Sequence, residues 1–205
     1  MGAAMVRGLA CVGAATGWAA LILQLILTLA ATRAQGDTAM GGLWRYLGYF
    51  TVLTNLFAAV VLTGAAAGRV RARLEFMAAA AMILVGIVYS LLLRESWNPQ
   101  GLQKLADIAL HDLQPALMVL FWLLRPHGRL GLRDVAASLL PPAAYCLCAL
   151  ARGAVEGWYP YPFLDVARIG AGAVARNCAG IALAFLLLAS LLLGLDRLLG
   201  RYRQV

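Results

Sequence analysis

Charge is what this chain has least of. Only 13% of its 205 residues are charged, against about a quarter in an ordinary soluble domain, so a solvated globular enzyme is excluded. Lysine is nearly missing: of 17 basic residues, only Lys104 is not an arginine. With so much Ala, Gly and Leu, that bias points to a GC-rich coding sequence and a bacterial source. Histidine occurs only at His111 and His127, so no HExxH and no second His at ligand spacing exists. Cys11, Cys146, Cys148 and Cys178 all lie in apolar stretches without a CxxC, and Cys146 and Cys148 project from divergent helix faces. No metal is therefore expected. GxSxG, Walker and dinucleotide fingerprints are absent too, and with no room for a nucleotide-binding fold we expect no cofactor.

What fills the chain is hydrophobic: 63% of residues, with a mean hydropathy of +0.82. The +8 net charge is then read against a membrane, not nucleic acid. At about 20 residues per crossing, this length allows roughly five to seven spans. Six apolar runs stand out: Leu9 to Ala31, Tyr46 to Ala67, Phe76 to Leu93, Ile108 to Leu124, Val135 to Leu150 and Asn177 to Leu195. The fifth contains Pro141-Pro142 and is expected to kink. Backbone groups in lipid must be satisfied within their own segment, which makes these runs helices. The expectation is an all-α polytopic protein, one integral membrane domain over residues 1–205 with six transmembrane helices. The first run exceeds the roughly 7–15 apolar residues of a signal peptide and is read as an uncleaved helix.

Orientation follows from the basic residues. With the N-terminus cytoplasmic, the inner side holds ten basic residues against three acids, and the outer side seven against six. Both termini are expected inside, in a bacterial plasma membrane. The outer loops are longer, mixed in charge and rich in aromatics (Trp44, Trp97, Trp158, Tyr161), and loops of that kind carry binding sites.

Ionisable groups at membrane depth cost several kcal/mol unless paired, and are functional candidates by default. His111 opens the fourth run; Asp107 lies one helical turn before it on the same face, and Pro115 removes an N–H one turn after it. Asp112 is an alternative partner for the imidazole. Thr51, Thr54 and Asn55 share a stripe at the start of the second helix; threonines there also serve as interhelical glue. Arg176 and Asn177 start the sixth run, Arg176 either snorkelling to headgroups or binding a carboxylate. Arg94-Glu95 reads as a local pair or a snorkel, and His127 in an arginine-rich inner loop is given no role.

Three stretches in order resemble one family. Gly41-Gly42-Leu43-Trp44-Arg45-Tyr46-Leu47 followed by Tyr49-Phe50-Thr51-Val52-Leu53-Thr54-Asn55-Leu56, then His111 to Pro115, then Trp158-Tyr159-Pro160-Tyr161-Pro162-Phe163-Leu164-Asp165 are similar to the androgen-induced protein and androgen-dependent TFPI-regulating protein group, with its bacterial six-helix relatives. The resemblance implies an intramembrane threonine hydrolase acting on fatty acid esters of hydroxy fatty acids. It places Thr51 as nucleophile, with Thr54 as the alternative, and His111 as base. Supporting parts fall to Asn55 as oxyanion donor, to Asp107 or Asp112 orienting His111, to Arg176 holding a carboxylate, and to Tyr161, Asp165 and Asn177 in or near the loop motif. The expected partners are membrane lipids and a lipid ester substrate. The competing classes are a non-catalytic lipid- or quinone-binding membrane protein and an accessory subunit of a membrane complex. Transport is disfavoured by the lack of an internal repeat.

Overall fold

The computed structural model describes residues 2–202, and among them every regular element is a helix. The chain divides into two compact units, Met1–Pro126 and His127–Val205.

The first unit contains α1 (Ala3–Ala34), α2 (Ala39–Tyr46), α3 (Phe50–Ala66), α4 (Ala72–Val88), α5 (Gly101–Ile108) and α6 (Gln114–Leu124). α4 runs on through a π turn at Tyr89–Leu93, and a second π turn at Ala109–Leu113 joins α5 to α6. α1 packs along α3 and touches α2 and α6, while α4 lies against both α3 and α6. Lipid supplies no hydrophobic drive between helices, so close approach depends on small residues. Gly13 and Gly17 provide it on α1. A methyl at Gly13 would lie 3.0 Å from Leu62, and one at Gly17 would lie 3.3 Å from the Ala59 methyl. Gln114, fully buried, fastens the same seam by donating to the Gly13 carbonyl at 3.0 Å. At one end of α4 and α6, buried Glu75 accepts from Arg125 at 2.7 Å.

The second unit contains α7 (Leu132–Ser138), α8 (Leu140–Glu156), α9 (Val166–Ile169) and α10 (Ala171–Tyr202). The expected kink falls at Leu139, with Pro141 and Pro142 in the first turn of α8 where their missing N–H groups cost nothing. His127 and Asp196 are both buried and meet at 3.0 Å, and the Leu130 amide donates to the same carboxylate at 3.3 Å. His127, given no role above, thus ties its loop to α10.

Among the described residues, five helical spans are long and apolar enough to cross a membrane, and α2 with α3, bent by 77° at their break, make six if counted as one. Among the described residues the protein is all-α, with helices of membrane-spanning character. Most of its helices overrun the apolar runs, α1 starting at Ala3 and α10 at Ala171 rather than Asn177. The second run, expected from Tyr46 to Ala67, is instead broken after Tyr46, and its helix α3 spans only Phe50–Ala66.

Candidate functional site

The site forms where α3, the two π turns and α5 meet in the first unit. Beneath it lie Ala20, Leu21, Tyr46, Val52, Ala59 and Leu110, a buried apolar floor. The Tyr46 hydroxyl donates to the Leu21 carbonyl at 2.9 Å, which holds α2 across α1.

Thr51 stands in the first turn of α3, whose N-cap is Tyr49. Its Oγ1 is 3.3 Å from His111 Nε2. On the other side of the ring, His111 Nδ1 is 3.0 Å from the Asp107 carbonyl oxygen and 3.2 Å from Asp107 Oδ1. Two acceptors facing Nδ1 place the ring proton there and leave Nε2 bare, so the Thr51 hydroxyl is the donor and the imidazole the acceptor. Tyr89 stacks on the imidazole at 3.9 Å between ring centres, 14° from parallel, and its hydroxyl donates to Asp107 Oδ2. The side chains of His111 and Asp107 are 15% and 8% exposed. A hydroxyl, an imidazole and a carboxylate in series, shielded from bulk solvent, form a relay that can activate the hydroxyl as a nucleophile.

No family model matches the chain, and no curated protein or solved structure resembles it significantly. The chemistry therefore rests on the geometry.

Local sequence explains the arrangement. Pro115 has no N–H to give to the carbonyl five residues back, Leu110, which is its partner at π spacing. Asn55, fully buried, replaces that donor: its Nδ2 gives one hydrogen to the Leu110 carbonyl at 3.1 Å and the other to the Thr51 carbonyl at 2.9 Å. One amide thus holds the Thr51 turn and the His111 turn together. Both of its hydrogens are used, so the part of oxyanion donor expected for Asn55 does not fit this arrangement.

Other expected residues fall elsewhere. Thr54 is buried below Thr51, and it is Thr51 that meets His111. Asp112 pairs with Arg94 rather than with His111, and Arg94 also lies over the Tyr89 ring at 4.8 Å, so the local Arg94-Glu95 pair does not form. His111 does not open its helix. The helix begins at Gly101 because the polar turn 101–108 buries Asp107 against Tyr89 and His111, and only Thr51 lies at a helix N-terminus. Asp165, Tyr161, Arg176 and Asn177 belong to the second unit. Asp165 caps α9 through the Arg168 amide, Asn177 donates to the Phe163 carbonyl at 2.9 Å, Tyr161 stacks on Phe163, and Arg176 is exposed on α10.

Tyr89 is the residue that sequence reasoning missed. It lies within an apolar run, where a tyrosine reads as interfacial; its distance from His111 in sequence hid the stack. From His111 and Asp112 an open groove of about 700 Å³ runs between α4 and α6, lined by Gly86, Ile87, Pro115, Val119 and Leu120 among others.

Proposed function

We propose that this protein is an intramembrane lipid-ester hydrolase with Thr51 as nucleophile and His111 as base. The observation that carries the reading is the Thr51–His111–Asp107 relay, with Nε2 facing the hydroxyl and Nδ1 facing the carboxylate. Thr51 Oγ1 attacks the ester carbonyl as His111 Nε2 takes its proton, and Asp107 stabilises the imidazolium. The developing oxyanion gains from the positive end of α3. His111 returns the proton to the departing alcohol, then takes one from a water that attacks the acyl-enzyme, and hands it to Thr51 Oγ1 as the C–Oγ1 bond breaks and the acid leaves. An acyl chain lies along the α4–α6 groove. The substrate class the sequence resemblance suggests, fatty acid esters of hydroxy fatty acids or similar lipids, suits such a site. The arginine distribution supports six crossings with both termini cytoplasmic in a bacterial plasma membrane, which puts the relay near the outer leaflet.

Fluorophosphonate labelling of the detergent-purified protein tests the reading. Wild type is expected to label, Thr54→Ala to label likewise, and Thr51→Ala and His111→Ala to lose labelling. Folded wild type that takes up no probe overturns it. The apolar groove would then favour the second reading, a non-catalytic lipid- or quinone-binding protein, examined through co-purifying lipids.

A further inference from the structure

The second unit holds a pair of thiols that the hydrolase site does not use. Cys146 on α8 and Cys178 on α10, 32 positions apart, bring their Sγ atoms to 3.2 Å. Cys148, two residues on, is exposed, as is Cys11 on α1. The close approach therefore belongs to one pair of the four cysteines. Each thiol follows a residue that fastens the same loop. Tyr145 packs edge-on against Tyr161 at 6.4 Å between ring centres, and Asn177 donates to the Phe163 carbonyl. Tyr161 and Phe163 are themselves stacked, 3° from parallel. The thiols thus sit one residue along α8 and α10 from the two positions that hold the 157–165 loop. Cys178 is about 10 Å along α10 from Ala171, at about 1.5 Å per residue.

We propose that Cys146 and Cys178 are a redox modification site, closing to a reversible disulfide that clamps α8 to α10 next to the residues that hold this loop. A disulfide has its sulfurs about 2.05 Å apart, so closure needs little more than a shared movement of about 1 Å. Both S–H bonds break as the S–S bond forms, releasing two protons and two electrons. Because the pair sits in an apolar stretch, the oxidant is a two-electron acceptor that enters the bilayer, of the quinone class, and it leaves as the hydroquinone. The tie constrains the unfolded chain and the two helices that carry the loop.

The test uses the full-length protein in detergent and diamide, a permeant oxidant that accepts the same two electrons and two protons. After oxidation, denaturation and alkylation with N-ethylmaleimide, intact mass is expected to show two adducts instead of four. Peptide mapping is expected to place the link between Cys146 and Cys178, and dithiothreitol to restore four adducts. The Cys11→Ser/Cys148→Ser variant is expected to close the same link, and Cys178→Ser to keep all three of its adducts after oxidation. The oxidised wild type should unfold roughly 5–10 °C above the reduced form, with no such shift in Cys178→Ser. Four adducts after diamide, or a link through Cys11 or Cys148, overturns the site. An unmoved unfolding midpoint with the link in place overturns the clamp. None of these readouts depends on Thr51 or His111.

Discussion

At the scale of single residues, Asp107 and Tyr89 decide how well His111 is held. Asp107→Asn keeps the shape and removes the charge that favours an Nδ1 proton. The rate of probe labelling is expected to fall about 10²- to 10⁴-fold while Thr51 stays in place. Tyr89→Phe keeps the ring stack and loses only the hydroxyl on Asp107. Its expected cost is about tenfold in the same rate, the size of one hydrogen bond to a charged group. A Tyr89→Phe variant as slow as Asp107→Asn would show that the hydroxyl, and not the carboxylate, orients the ring. Asp107 and His111 stand out in the sequence because polar groups in apolar helices need partners, whereas Thr51 is singled out among the helix threonines only by the family resemblance. Tyr89 does not stand out, since aromatic residues have several reasons to occur near membrane interfaces.

At the scale of elements, the π turn at Ala109–Leu113 and its proline form one device. The leucine carbonyl left without its backbone donor is served by Asn55 from α3. The two residues should therefore couple. Asn55→Leu is expected to lower stability by about 1–3 kcal/mol by stripping the buried Leu110 carbonyl and the part-buried Thr51 carbonyl of a donor. In a Pro115→Ala background, which restores a backbone N–H, the same substitution should cost measurably less. A double-mutant cycle in reversible unfolding reads the difference, and strict additivity would separate Asn55 from the proline. Pro115 announced a bend in the sequence. The π geometry stayed hidden, because hydropathy counts residues by side chain and does not distinguish a bond to i−4 from one to i−5. The apolar run starts at Ile108 because hydropathy stops at a charge, although the turn that brings Asp107 onto the face of His111 is already helical.

At the scale of the whole molecule, the apolar runs located the long helices, while most of their ends extend further than hydropathy alone suggests and the second run is broken before Phe50. Polar residues such as Gln103 join a helix when another element answers them, here Gln24 of α1 at 2.9 Å, and a single-segment reading does not see the answer. Packing density was equally invisible. The Gly13–Gly17 seam becomes meaningful only once α3 and Gln114 are known to lie against it. Gly17→Val is expected to force α1 off α3 and break the Gln114 bond, costing about 1–3 kcal/mol by overpacking. Scanning fluorimetry in detergent should show a lower unfolding midpoint. Gly8→Val, at a position with open space around its Cα, should leave it unchanged.

The π turn at Ala109–Leu113 also makes the site a matter of counting. A π turn holds one residue more than an α turn, and one residue is worth about 100° of helix rotation. A chain one residue shorter there would keep its hydropathy, its proline and every short motif around Thr51 and His111. It would still form an unbroken apolar helix of nearly the same length. The Gly101–Ile108 side of that helix would be turned about a quarter of the way around from the Pro115 side, and Asp107 and His111 could no longer both keep their places against Tyr89 and Thr51. Among chains of this kind, alignment gaps at this one turn should sort those that assemble the relay from those that carry its residues without joining them.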